Sequence, residues 1–132
     1  MSAMNVSQWI EEHRDFFSGL SDQVWTFAET GFQETRSAKL LADSLENAGF
    51  TVERGVADIP TAFVASYGSG TPVIAILGEY DALPGLSQQS VSQKQPVQTG
   101  GNGHGCGHNL LGVGSLAAAM AVKEAIAAGD VQ

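Results

Sequence analysis

The chain has one cysteine, four prolines and only six basic residues among 132, against fourteen acids. A lone cysteine excludes a disulfide within the chain, so Cys106 is left as a buried thiol, a nucleophile or a metal ligand. The shortage of lysine and arginine, with a formal charge of −8, repels phosphate backbones and anionic lipid headgroups and argues against nucleic-acid and membrane-surface roles. The opening MSAMNVSQWIEEHRDFF lacks the basic stretch and apolar run of a signal peptide. The most apolar window, residues 110–122, is interrupted by Gly112, Gly114 and Ser115 and is too short to span a bilayer, so the expectation is a soluble, cytoplasmic protein.

What the chain does have is a core. Hydrophobic residues make up 43% and charged residues 15%, enough for one domain over residues 1–132. Trp9, Phe16, Leu20, Val24 and Phe27, with His13 on the same face, predict one amphipathic helix ending before Gly31, its aromatic stripe packed in the core and His13 a packed or interface residue. Ala38, Leu41, Ala42, Leu45 and Ala48 predict a second helix, with Gly49 placed for a left-handed C-terminal cap. Three β-prone segments follow at residues 50–54, 62–67 and 73–77. The last, VIAIL, is apolar without alternation, as in a strand covered on both faces. Residues 84–103 form a long polar loop, of a kind more often functional or disordered than structural. An Ala- and Leu-rich helix over residues 110–128, apolar nearly all round, is expected to be buried with Asn109 as its N-cap. This order reads as an α/β layer structure.

Two stretches carry chemistry. In GGNGHGCGHN, residues 100–109, Cys106 and His108 lie two apart, and the glycines between and around them permit both side chains to converge on one ion. The same residues also read as a thiol nucleophile near a helix start or as a plain flexible turn, and His104 as a third ligand or a loop histidine. In GEYDALPG, residues 78–85, Glu79 and Asp81 bracket Tyr80 at period-two spacing. They face one side, where either can touch a metal or orient a histidine that does, unless the segment is an ordinary acidic turn.

AETGFQE at residues 28–34, the strand running into GEYDALPG, and GHGCGHN at 103–109 running into an Ala-rich helix together resemble the metal-dependent aminoacylase/carboxypeptidase family of amidohydrolases, and within it the p-aminobenzoyl-glutamate hydrolase-like members. The resemblance covers nearly the whole chain in order. It implies the N-terminal part of a zinc-peptidase-like, three-layer α/β catalytic domain that cleaves amide bonds of N-acyl or N-aminobenzoyl amino acids at a two-metal zinc or manganese site. It implies further that Cys106 and His108 are metal ligands, that Asp81 holds a ligand imidazole in its tautomer, and that Glu79, His104 and Asn109 line the site.

Relatives of this kind carry a paired-glutamate motif supplying the general base and a ligand, two more histidine ligands, and a lid or dimerisation domain, none of which occurs in these 132 residues. The chain therefore reads as about the first third of such an enzyme: a partial catalytic domain, inactive alone, holding metal weakly or not at all. Its expected partners are a small N-acyl amino acid and a second copy or the remainder of the enzyme. A non-catalytic binding module reusing the fold, and a thiol hydrolase acting through Cys106, are the alternatives.

Overall fold

Where one N-terminal helix is expected there are two, α1 (Val6–Glu12) and α2 (Arg14–Phe27), in a computed structural model that describes residues 4–131. Asn5 caps α1, its side-chain oxygen accepting the Gln8 amide at 3.0 Å. The chain leaves helical geometry at His13, whose exposed imidazole stacks on Trp9 at 4.2 Å and lies 2.7 Å from the Trp9 carbonyl. The break shifts the inward face by one residue. Phe17, Leu20, Ser21 and Val24 point into the protein and Phe16 is exposed, which corrects the place of Phe16 in the expected core stripe.

Helix α3 (Thr35–Asn47) buries Ser37, Ala38, Leu41, Ala42 and Leu45, the expected face. It ends as its glycine predicts: Gly49 takes φ +93°, its amide donates to Glu46 and the Phe50 amide donates to Leu45, both at 3.0 Å. Phe50 then packs with Leu45 in the core, the apolar contact that accompanies this cap. Strands β1 (Thr51–Arg54) and β2 (Phe63–Ser66) pair antiparallel, Thr51 opposite Ser66 and Arg54 opposite Phe63. Val52, Phe63 and Ala65 pack against the cluster of Phe17, Leu20, Val24, Leu41, Val113 and Leu116. The architecture is mixed α/β, as expected.

The third expected strand is absent. Residues 73–77 pair with no strand among the described residues, and Val73, Ile74 and Leu77 are 87%, 82% and 85% exposed. An unalternating apolar run becomes a strand only with hydrogen-bonding neighbours and cover on both faces, and the β1–β2 hairpin supplies neither.

Helix α4 spans His108–Ala127, 20 residues, starting before the expected position with Gly107 (φ +80°) as its cap. Asn109 is therefore inside the first turn and not the N-cap; it is buried, and its amide donates to Ser21 Oγ at 2.9 Å. The helix is long and apolar enough, by length and composition, to cross a membrane, which the interrupted window 110–122 did not indicate. One face, with Val113, Leu116, Ala117, Met120 and Ala121, is in the core. Leu110, Leu111 and Val122 on other faces are exposed, which corrects the expectation of burial all round.

The strip at 73–77 gives a direct expectation. The folded chain should bind an apolar reporter dye strongly, and the double substitution Ile74→Glu, Leu77→Glu should remove most of that fluorescence while moving stability by no more than about 0.5 kcal/mol.

Candidate metal centre

The segment after residue 77 is pinned from three sides. The Ala82 amide donates to the Glu29 carbonyl at 2.7 Å, and Leu83 exchanges two backbone hydrogen bonds with Gly103, at 2.9 and 3.0 Å. On the third side α4 meets the segment at glycines. A Cβ on Gly112 would stand 2.8 Å from the Glu79 carbonyl oxygen and 3.1 Å from Tyr80 Cβ, and one on Gly78 would stand 3.0 Å from Ser115 Cβ. Ser115 Oγ closes this contact by donating to the Leu77 carbonyl at 2.6 Å. The three stretches AETGFQE, GEYDALPG and GHGCGHN, distant in sequence, are thereby brought to one place.

His108 lies one helical turn before Gly112 and so faces the same strap. Its Nδ1 is 2.7 Å from Asp81 Oδ1 and its Nε2 3.3 Å from Glu79 Oε2. Ligand atoms of Glu79, Asp81 and His108 all lie within 4.8 Å of one another. With Nδ1–H donating to Asp81, the Nε2 lone pair would oppose a carboxylate oxygen, two acceptors face to face. The contact requires a positive centre between them, a proton or a metal ion. Glu79 and the His108 imidazole, with Asp81 holding the ring from its other nitrogen, offer donors that zinc and manganese accept, so the residues fit a divalent ion.

Of the residues singled out in the sequence, the fold brings Asp81, Glu79 and His108 together. Cys106 is exposed in the turn before α4 and stands outside this group. Gly107, with positive φ, lies between it and His108, the first residue of α4. His104 is buried against α2, its Nε2 3.1 Å from the Val24 carbonyl and its Nδ1 without a hydrogen-bond partner among the described residues. Burial lowers its pKa, and the charge of His108 adds to this against the opposing effects of Val24 and Asp81.

Two acids of AETGFQE escaped the sequence reading. Glu29, buried, accepts from the amides of Arg36 and Ser37 at 3.0 and 2.9 Å and from the Ser37 hydroxyl at 3.0 Å, placing a carboxylate on the N-terminus of α3. Burial alone would raise its pKa; these hydrogen bonds and the Arg36 charge outweigh it and hold the pKa below the ordinary glutamate value. Glu34 is also buried, and its Oε2 lacks a hydrogen-bond partner among the described residues. It lines a cleft of about 180 Å³ that runs to Glu79 and Asp81. Tyr80, in the wall, donates its hydroxyl to the Thr61 carbonyl, and burial, with Glu34 nearby, pushes its pKa up to about 12. A larger hollow of about 520 Å³ lies between α3 and the hairpin, where Arg54 pairs with Asp43; it touches none of Glu79, Asp81 and His108.

No family model matches the chain. It is 58% identical to one of the subunits of Escherichia coli p-aminobenzoyl-glutamate hydrolase over 90% of its own length and 25% of that protein's. It is 30% identical to human Xaa-Arg dipeptidase over 93% of its length and 28% of the relative's, and 29% identical to thermostable carboxypeptidase 1 of Saccharolobus solfataricus over 76% and 25%. The chain thus spans about a quarter of the length of these relatives, less than the third expected.

Two substitutions test how the site is held. Because the folded pKa of Glu29 lies below its unfolded value of about 4.3, the stabilisation it provides is full above that value and is lost as pH falls toward the folded pKa. Glu29→Gln should cost roughly 0.5–2 kcal/mol at pH 7 and flatten part of the loss of stability below about pH 4.5, read by thermal unfolding across pH. Gly112→Ala should cost about 1–3 kcal/mol in denaturant titrations, since its methyl group meets backbone at Glu79.

Proposed function

The chain belongs to the amidohydrolase and peptidase family of these relatives, and from that membership we propose that it is part of the catalytic domain of a metal-dependent hydrolase cleaving amide bonds in N-acyl or N-aminobenzoyl amino acids, p-aminobenzoyl-glutamate among them. The observation that carries the metal dependence is the His108 imidazole held between Asp81 and Glu79.

Asp81 accepts a hydrogen bond from Nδ1–H, fixing the tautomer that leaves Nε2 free as a ligand. His108 Nε2 and the mostly exposed Glu79 carboxylate would hold a zinc or manganese ion, and Cys106, exposed in the preceding turn, would add a thiolate if that turn moves toward it. The chemistry such an ion supplies is a bound water with pKa near 7 and a polarised amide carbonyl. In the family, as the resemblance has it, a glutamate of a paired-glutamate motif takes the water's proton and returns it to the leaving amine. That motif does not occur in these 132 residues, so the chain by itself binds metal weakly and leaves amides uncleaved. Pairing with a second chain, or with more of the same enzyme, would complete the site and cover residues 73–77; that the Escherichia coli relative is itself named as one subunit of a hydrolase fits such pairing.

For the thiol-hydrolase reading, both ring nitrogens of His108 face carboxylates and His104 Nε2 faces the Val24 carbonyl, which leaves the buried His104 Nδ1 as the candidate base. Metal stoichiometry and affinity, measured by equilibrium dialysis with zinc and with manganese, test the proposal. His108→Ala should abolish binding and Asp81→Asn should weaken it about 10–100-fold. Cys106→Ser should weaken zinc more than manganese, whereas a pure nucleophile would leave both unchanged. Undiminished metal content in His108→Ala would sink the proposal.

A further inference from the structure

We propose that the hollow between α3 and the β1–β2 hairpin is a second ligand site, separate from the metal centre, for a small monocarboxylate with an apolar body, and that its occupancy is felt at Tyr80. The hollow exists because of what α3 carries there. Ala38 and Ala42, one turn apart on the helix, bring only methyl groups to it, and Ala62 and Phe63 line it from the hairpin side. Protein interiors are normally filled to the density of organic crystals, so a gap of about 520 Å³ between a helix and a hairpin is space the fold leaves open. Its volume is that of a small-molecule pocket.

Charged side chains among those lining the hollow are Lys39, Arg54 and Asp43, so two of the chain's six basic residues meet at one cavity with a single acid between them. The residues lining the cleft beside Glu79 and Asp81 include no lysine or arginine. Arg54 is held through one nitrogen: its Nη2 donates to Asp43 Oδ1 at 2.8 Å and to Glu46 Oε2 at 2.9 Å. Its Nε and both Nη1 hydrogens have no acceptor among the described residues. A guanidinium fixed in place with three donors unengaged is suited to a carboxylate. Lys39, paired with Asp43 one helical turn away, adds a second positive charge. Asp43 and Glu46 repel any further negative group on the ligand, and the methyl and phenyl walls take an uncharged body, which together select a monocarboxylate.

The hollow and the cleft share a wall. Ala62 lines both, and Phe63 lines the hollow while its ring stacks on Tyr80, centroids 6.1 Å apart and planes at 22°. Tyr80 in turn donates its hydroxyl to the Thr61 carbonyl and carries Glu79 and Asp81 on either side. A ligand seated against Phe63 therefore bears on Tyr80 through direct contact, since close-packed side chains transmit displacement.

Hexanoate, titrated into the full chain and followed by amide and aromatic NMR shifts, tests the site. Signals of Ala38, Ala42 and Ala62 should move along one saturable curve, and the Tyr80 ring signals should follow it. Acetate should not bind, and each methylene from butanoate to hexanoate should tighten binding about two- to fourfold. Uncharged hexanamide should bind about fivefold more weakly than hexanoate. Arg54→Met, which keeps an apolar stem, should weaken hexanoate about fivefold and leave hexanamide unchanged. Ala62→Leu, which fills the hollow, should abolish the binding of both. Absence of hexanoate binding, equal binding of hexanamide, shifts confined to residues 73–77, or full hexanoate affinity in Arg54→Met would each overturn the site. Tyr80 signals that stay fixed while the hollow fills would overturn its link to the cleft. The comparison of hexanoate with hexanamide on the wild-type chain decides the matter even where a variant fails to fold.

Discussion

The approach of α4 to the strap at residues 78–81 is the constraint on which the rest depends. Helix and backbone meet at a distance only glycine allows, with Gly112 against Glu79 and Tyr80 and Gly78 against Ser115. The helix dictates where His108 is, the strap dictates where Glu79 and Asp81 are, and this contact fixes one against the other. A single methyl group at the junction would push apart partners that now lie 2.7 and 3.3 Å from one imidazole. Positioning of that accuracy requires rigid neighbours, and the core behind α4 provides them through Val113, Leu116 and Met120.

The N-terminal motif supports the same arrangement from the other side. Glu29 neutralises the start of α3 with its side chain and holds Ala82 with its carbonyl, so one residue ties a helix end to the strap. A carboxylate buried against free amide groups is stable where an isolated one would be costly, because the helix terminus provides donors that have no other partner. AETGFQE thus serves the site by holding up its scaffold and by shaping the cleft alongside it.

What could be read beforehand followed from chemistry that is local. Gly49 announced its cap because left-handed geometry favours glycine, and Glu79 and Asp81 announced a shared side because alternation survives even where no strand forms. The missing strand at 73–77 was illegible, since its apolar run specifies a need for neighbours and says nothing of whether they are there. The exchange of Phe16 for Phe17 turns on the break at His13, a residue with no strong helix-breaking tendency, stacked on Trp9. Cys106 and His108 looked paired by spacing; the structure gathers His108 with Glu79 and Asp81 and leaves Cys106 exposed in the turn before α4. The cap formed by Glu29 reaches across six to eight residues from outside the helix it serves, beyond the span of the usual capping patterns.

The two-way hydrogen bonding of Leu83 with Gly103 has a meaning for divergence among proteins built this way. Everything between those residues leaves and returns at one point, and a Cβ on Gly103 would stand 1.9 Å from the Leu86 carbonyl oxygen, so the neck is closed tightly. Lengthening a loop with fixed ends costs little, about 0.6 kcal/mol per doubling. Residues 88–100, beyond the neck that Leu86, Ser87 and Gly101 form, are in that sense insulated from the imidazole and carboxylates below them: they can be extended, shortened or rewritten without altering the spacing of those groups.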